Sequence, residues 1–168
     1  CVSSSRYPIA DRKFGLANYA CKAALATLAI ITGSSGMAGL AHASLQPYII
    51  GSDRGGFIRD RQLEIRSLRA SGQPVEIRGA VCYSTCTMLL GLPQTCISAA
   101  TVFGFHGPSR NGRRLSADEF ERYSQLIAQY YPKPLRDWFM KKGRKRIDGV
   151  HRIKGSEIIR MGVRECRT

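Results

Sequence analysis

Acidic residues are scarce in this sequence of 168 residues: 12 Asp and Glu stand against 26 Lys and Arg, for a formal charge of +14 at pH 7. The sequence lacks an internal repeat, which excludes a solenoid, and it lacks a low-complexity tail. It has no Walker-type phosphate loop, so we expect any activity to work without a nucleotide. The arginines are scattered along the chain, which is typical of a solvated basic surface. The alternative is attraction to an anionic partner, although we expect no nucleic acid.

A long uninterrupted apolar run is also missing. The apolar segment 23–32 is followed at once by Gly33-Ser-Ser-Gly36, which makes it short for a membrane span. Basic residues precede this segment, and Ala41-His-Ala43 follows it, so residues 1–43 have the three parts of a secretory signal peptide. We predict cleavage after Ala43 and a periplasmic or secreted bacterial protein. The alternative is a retained anchor, which would be the only membrane contact.

Residues 44–168 are enough for one domain, and a chain with 43% hydrophobic residues can form a core. An even number of cysteines in an exported chain favours disulfides, although three pairings are open. A zinc site is the alternative, but a Cys-x3-Cys spacing with no histidine close by fits it poorly. We therefore predict disulfides, no metal and no cofactor. The four cysteines of this part are Cys82, Cys86, Cys96 and Cys166.

Strand-like and helix-like segments alternate after the predicted cleavage site. Pro47–Ile50 and Pro74–Arg78 resemble strands on either side of a helix over 57–70, which predicts a βαβ unit with parallel strands. Ser116–Glu119 is a capping-box pattern that opens another helix. The sequence therefore predicts an α/β fold. The other predicted elements are a short helix over 85–90, strands over 95–98 and 101–105, and helices over 116–130, 135–142 and 155–162.

Ser84 lies between a predicted strand that ends near Arg78 and a predicted helix that begins near Thr85. A side chain in this position projects from the carboxyl edge of a sheet, where α/β folds bind ligands. Backbone N–H groups at a helix N-terminus favour negative charge, so the hydroxyl could attack a carbonyl while these amides receive the oxyanion. The alternative is an ordinary N-cap serine.

Two further features are placed to assist such a serine. His106 ends the apolar run 102–105 at a predicted strand end, where a neutral imidazole could accept the serine proton. The alternative is a packed structural histidine. Gly55-Gly56 follows the first predicted strand and permits a positive φ and close backbone approach to a ligand. The alternative there is a plain turn.

Three segments resemble the proteolytic subunit of the Clp protease. Tyr48–Phe57 is similar to its strand that enters a Gly-Gly loop, and Val75–Ser84 to its strand that enters the nucleophile. Ala100–His106 is similar to its strand that enters the catalytic histidine. The order of the three features is the family's order. The similarity covers residues 46–166 and is most specific between 55 and 106.

A closer resemblance is to exported bacterial proteins of the same ClpP/crotonase superfamily. These proteins have a Cys-x-Ser-x-Cys-Thr motif and a Gly-Phe-His motif, which occur here as Cys82–Thr87 and Gly104–His106. The resemblance implies an α/β fold of repeated ββα units, with a mostly parallel central sheet flanked by helices. It also implies a serine-type hydrolase, and more narrowly a peptidase that acts on a peptide or protein substrate.

The resemblance assigns a role to each site residue. Ser84 would be the nucleophile and His106 the general base, and the backbone N–H groups of Gly56 and Thr85 would form the oxyanion hole. The family's third catalytic residue is an aspartate that precedes the last helix. Val150 occupies the matching position, so the predicted acid is Asp148, the nearest carboxylate.

Several alternatives stay open at this point. Asp137 is a weaker choice for the acid, and a Ser-His dyad or an inactive, non-catalytic member of the same fold is also compatible with the sequence. Another alternative is a basic module that binds an anionic surface through residues 141–146 and through Arg110, Arg113 and Arg114. The cysteines on either side of Ser84 are expected to rigidify its turn, or one of them has a redox role. We expect a monomer or a small homo-oligomer.

Overall fold

The computed structural model describes residues 45–167, and the predicted signal peptide, residues 1–43, lies outside the described residues. The described part is mixed α/β, as predicted, and its strands form two three-stranded sheets. In chain order the strands are β1 (Tyr48–Ile50), β2 (Val75–Ile77), β3 (Val81–Tyr83), β4 (Thr95–Ile97), β5 (Val102–Phe105) and β6 (His151–Lys154).

Helices connect and flank these strands. No helix of residues 45–167 is both long and apolar enough to cross a membrane. The helices are α1 (Ile58–Ser71), α2 (Ala117–Ala128), α3 (Lys133–Lys141) and α4 (Gly155–Arg160), and two 3₁₀ helices cover Ser84–Gly91 and Gly143–Lys145.

The first sheet has the order β1-β2-β4, and all its strands are parallel. The predicted βαβ unit is confirmed, since β1 and β2 pair in parallel on either side of α1. Ile65 and Leu68 are the buried residues of α1, and Val75 and Ile77 of β2 are fully buried. Two of the apolar positions that predict the helix and both apolar positions of the second strand therefore lie in the core, whereas Leu63 of α1 is 50% exposed.

The second sheet has the order β3-β5-β6, in which β3 and β5 are parallel and β6 is antiparallel. Two chain segments of the first sheet thus continue into this one, β2 into β3 and β4 into β5, and the segment after β1 adds an isolated bridge between Asp53 and Cys82. A bend at Gly79 separates the sheets: the N–H groups of Arg78 and Gly79 both bond to the carbonyl of Ile50. Two residues that oppose one form a bulge, which bends a strand. The sequence predicts one central sheet, whereas the structure has two small ones.

Several helix ends differ from the prediction for physical reasons. The predicted helix over 85–90 is a 3₁₀ helix that begins one residue earlier, at Ser84. The predicted cap of α2 is present, because Ser116 Oγ accepts a hydrogen bond from the Glu119 N–H at 3.4 Å. Helix α3 begins at Lys133 rather than after Pro134, since a proline in the first turn removes no helical hydrogen bond.

Two disulfides resolve the pairing that the sequence leaves open. Cys82 is bonded to Cys86, and Cys96 is bonded to Cys166 across 70 residues of chain. Glu76 lies beside the second pair, but both sulfur atoms are already bonded to each other. The predicted disulfides are therefore present in the structure. They are compatible with a protein of the periplasm or of the extracellular space.

Candidate active site

Ser84 occupies a sharp turn from strand to helix. It follows β3 directly and begins the 3₁₀ helix, and its φ of +57° lies in the left-handed region that non-glycine residues seldom adopt. Such a conformation costs about 1–3 kcal/mol and persists only where the surroundings impose it. The disulfide between Cys82 and Cys86, both fully buried, spans this turn. The half-buried hydroxyl of Ser84 therefore lies in a short loop that the disulfide closes.

A buried chain of hydroxyl groups also holds the turn. The Thr87 hydroxyl donates to the carbonyl oxygen of Ser84 at 2.6 Å, and the Tyr131 hydroxyl lies 2.6 Å from the Thr87 oxygen. Because a carbonyl only accepts, the single Thr87 proton goes to Ser84, and Tyr131 must donate to Thr87. Burial raises the pKa of Tyr131 far above its usual range, although its hydrogen bond with Thr87 acts to lower that pKa, so the phenol stays neutral and able to donate.

His106 lies beside Ser84 because β3 and β5 are neighbouring parallel strands. Their register pairs Tyr83 with Gly104, so the residues that follow each strand emerge side by side. His106 Nε2 lies 2.8 Å from Ser84 Oγ, within hydrogen-bonding distance. The two residues that the sequence singles out are thus adjacent in the structure.

The second ring nitrogen of His106 faces the backbone. Its Nδ1 lies 2.7 Å from the carbonyl oxygen of Gly107, which can only accept a hydrogen bond. The proton of a neutral imidazole is therefore on Nδ1, and the lone pair of Nε2 points to the Ser84 hydroxyl. Gly107 itself is held by a 2.8 Å hydrogen bond from its N–H to the Arg146 carbonyl. A Cβ atom at Gly107 would lie 2.1 Å from the carbonyl oxygen of Arg144.

The structure does not bring the predicted acid, Asp148, to His106. Asp148 is exposed in the bend before β6 and makes no hydrogen bond or ion pair within residues 45–167. Val150, which aligns with the family's aspartate, packs its Cγ2 against the backbone of Gly104 instead. Asp137, the weaker alternative, pairs with Lys133 at 2.7 Å on an exposed face of α3. Over the described residues no carboxylate bonds to the His106 ring.

The Gly55-Gly56 loop contacts the turn at Ser84 directly. Gly55 has a φ of +93°, and a Cβ atom there would lie 2.5 Å from the Cβ of Ser84. The Asp53 carboxylate accepts a hydrogen bond from the Gly55 N–H at 2.7 Å and pairs with the guanidinium of Arg61. Glycine is therefore required at position 55 by both its φ and its neighbour.

The Asp53–Arg61 pair is a part of the site that the sequence analysis missed. The Arg61 side chain is only 10% exposed, and it bonds Glu64 at 2.7 Å as well as Asp53. It therefore anchors the glycine loop to α1. An aspartate two residues before a glycine is a signal for an Asx turn, but the sequence gives no sign of its arginine partner.

Gly56 and Thr85, the predicted oxyanion donors, line the same cleft as Ser84 and His106. The Thr85 hydroxyl lies 3.4 Å from the Gly56 carbonyl oxygen, so the glycine loop and the start of the 3₁₀ helix are in contact. The Gly56 N–H makes no hydrogen bond with residues 45–167. The first N–H groups of a 3₁₀ helix also have no acceptor within the helix. The Gly56 N–H and the Thr85 N–H at the start of the helix are therefore not used by an acceptor of residues 45–167.

The cleft has a volume of about 610 Å³, a size typical of small-molecule and peptide-side-chain sites. Its walls are largely apolar and come from α1, α2 and the loop after His106. No aspartate or glutamate is among its lining residues, whereas two arginines are, Arg59 and Arg110. The apolar lining residues include Phe57, Ile58, Met88, Leu115, Leu126 and Ile127.

Part of the basic surface is used within the protein. Arg144 pairs with Glu121 at 2.5 Å, donates to the Met140 carbonyl and packs over the ring of Phe120. Arg110 pairs with Glu119 at 2.8 Å. These charges stabilise α2 and the loop after the site, so they are only partly available to an external anion.

We compared the chain with known proteins at the level of sequence. No protein-family model matches it, and no curated protein matches it at a significant level.

Proposed function

We propose that the protein is an exported serine-type hydrolase of the ClpP/crotonase superfamily, and more narrowly a peptidase. The observation that carries the proposal is the 2.8 Å contact between Ser84 Oγ and His106 Nε2. The contact of Nδ1 with the Gly107 carbonyl adds to it, because it places the imidazole in the tautomer that accepts the serine proton.

The proposed reaction is acyl transfer in two steps. The Ser84 oxygen attacks the scissile carbonyl while His106 takes the hydroxyl proton, and the N–H groups of Gly56 and Thr85 receive the oxyanion. The imidazolium then gives its proton to the leaving amine as the C–N bond breaks, which leaves an acyl-enzyme. A water molecule attacks the ester with His106 as base, and Ser84 regains its proton as the acid product leaves.

The orienting group of His106 in this scheme is a backbone carbonyl. It fixes the tautomer as a carboxylate would, but it carries only a partial negative charge and stabilises the imidazolium less. The conformation of Ser84 supports the same reaction. A nucleophile in a strained turn between strand and helix exposes its oxygen above the sheet, as in other serine hydrolases.

The path of the chain supports the superfamily part of the proposal. Segments 75–83 and 95–105 each contribute a strand to both sheets and run in parallel. Segment 48–53 runs parallel to the first of them, from β1 to an isolated bridge between Asp53 and Cys82. The bulge at Arg78 and Gly79 lies at the bend. Bent segments of this kind, followed by helices, are what repeated ββα units produce. The two disulfides favour a location in the periplasm or outside the cell, where disulfides persist.

Labelling with a fluorophosphonate probe tests this proposal. We expect the protein without residues 1–43 to be labelled at Ser84, and Ser84→Ala to abolish the labelling. Ser109→Ala is the matched control, because Ser109 lines the same cleft without a histidine partner. A soluble protein with intact disulfides that is not labelled, or that is labelled equally after Ser84→Ala, would support the non-catalytic reading instead.

A further inference from the structure

Charge is distributed unevenly around the cleft, and this bears on the substrate. The cleft is lined by Arg59 and Arg110 and by no carboxylate. The charge of Arg110 is balanced by Glu119. Arg59 is exposed and has no ion pair with residues 45–167, so it is the uncompensated cation of the site.

The sequence around Arg59 explains why this residue has no ion-pair partner on its helix. Side chains three and four residues along a helix are the ones that can pair, and on α1 these are Gln62 and Leu63. Neither is acidic. The neighbouring carboxylates of Asp53 and Glu64 are both taken by Arg61. Arg59 therefore lines the cleft without an ion-pair partner on its own helix.

The other lining side chains indicate what accompanies the anion. Phe57, which immediately precedes α1, is 74% exposed and lines the cleft together with Ile58. Leu115 and Leu126 of the α2 region also line the cleft. A cleft lined by an exposed aromatic ring and by aliphatic side chains suits an apolar side chain of a substrate.

We propose that the cleft selects peptides that have an acidic side chain next to an apolar one at the scissile bond, with Arg59 bound to the carboxylate. This inference rests on the proposed hydrolase function and specifies its substrate class. The large net positive charge of the chain attracts such peptides from a distance as well. Arg59 is the specificity-determining residue, and it takes no part in the transfer of the acyl group.

Two pairs of fluorogenic peptides test the selection. Acetyl-Leu-Glu and acetyl-Glu-Leu aminocoumarin amides are compared with the peptides that have Gln in place of Glu, which removes the charge at nearly constant shape. We expect kcat/KM to favour at least one Glu peptide by about tenfold, the effect of one partly exposed charged hydrogen bond. The preference is expected to shrink as salt is added, because the charges are solvent-accessible.

Arg59→Gln is the decisive variant, and Arg66→Gln is its matched control. Arg66 is an exposed arginine of the same helix that does not line the cleft, so both variants change the net charge equally. We expect Arg59→Gln to lower kcat/KM for the preferred Glu peptide by about tenfold relative to that for its Gln counterpart, so that the preference for Glu is lost. Arg66→Gln is expected to keep the preference. An equal preference in the wild type and in Arg59→Gln overturns the inference.

A binding measurement separates this inference from the proposed function. Ser84→Ala is titrated with acetyl-Leu-Glu-Leu-amide and with acetyl-Leu-Gln-Leu-amide, and the same titrations are repeated with Arg59→Gln added. If the wild type hydrolyses none of the peptides while Ser84→Ala binds the Glu peptide more tightly through Arg59, the hydrolase is refuted and the anion site is retained. If all the peptides are hydrolysed and neither rate nor binding depends on Arg59, the anion site is refuted and the hydrolase is retained.

Discussion

The Nδ1 atom of His106 and the carbonyl oxygen of Gly107 lie 2.7 Å apart, in the place where a serine triad has a carboxylate. We therefore expect Asp148→Asn to leave fluorophosphonate labelling and peptide hydrolysis within about twofold of the wild type, as for an ordinary surface substitution. Asp137→Asn, which removes a charge from the exposed face of α3, is the control. A loss of a thousandfold or more in Asp148→Asn alone would restore Asp148 as the catalytic acid.

Gly55→Ala is expected to inactivate the site while leaving the protein folded. A Cβ atom at position 55 would lie 2.5 Å from Ser84 Cβ, and a shift of the nucleophile by about 1 Å costs about a hundredfold in rate. Gly72→Ala is the matched control, since Gly72 also has a positive φ but has no atom within 4 Å of the added Cβ. Both variants should lose about 1–2 kcal/mol of stability from the φ angle alone. Labelling rates and urea unfolding measure the two effects, and equal labelling of both variants would contradict the prediction.

We expect the Cys96–Cys166 disulfide to contribute more to stability and the Cys82–Cys86 disulfide to contribute more to activity. Cys96→Ala with Cys166→Ala opens a loop of 70 residues and should cost about 4 kcal/mol, whereas Cys82→Ala with Cys86→Ala opens a short loop worth about 2 kcal/mol before cavity effects. The second pair of changes should nevertheless reduce the labelling of the folded protein more, because it releases the turn at Ser84. Urea unfolding and labelling below the unfolding transition test this. Equal labelling of the two folded double variants would show that the turn does not need its disulfide.

The buried phenol of Tyr131 predicts a loss of stability at high pH. Burial raises the pKa of Tyr131 in the folded state above the value of about 10 that it has in the unfolded state. The contribution of this difference to the free energy of unfolding is therefore complete below about pH 10 and is lost as the pH rises above that value. The free energy of unfolding should fall by up to about 1.4 kcal/mol per pH unit from this group alone. Tyr131→Phe removes that slope, so urea unfolding curves between about pH 8 and 11.5 should show wild type and variant converging. Tyr123→Phe, at a more exposed tyrosine, is the control. Parallel curves for wild type and Tyr131→Phe would contradict the prediction.

Much of the local structure could be predicted because the signals are local. The capping box at Ser116 and the strands on either side of α1 depend on residues close together in the chain, and the structure confirms them. Strand β6 was missed because only Ile153 of its four residues is buried, so its pattern resembles that of a loop. Strand β3 was not predicted as a separate strand, because the resemblance includes it in one strand segment, Val75–Ser84, which the bulge at Arg78 and Gly79 divides.

Some residues of the site could likewise be predicted from the sequence, and others could not. Ser84, His106 and the glycine loop could be proposed from strand ends and from the resemblance, and their proximity depends on the register of β3 and β5. The Thr87–Tyr131 contact joins residues 44 positions apart, and its hydroxyl groups have no pattern that marks them beforehand. The acid at position 148 was inferred from a carboxylate near the matching position. The local path of the chain there instead puts Val150 against Gly104.

The use of the Gly107 carbonyl has a genetic consequence. A carboxylate partner of histidine is lost by a single codon change, whereas every residue type at position 107 has a carbonyl group. The position is instead sensitive to added volume, because Arg144 and Phe120 lie close to Gly107. Inactivating changes at this part of the site should thus be gains of side-chain volume rather than losses of a functional group.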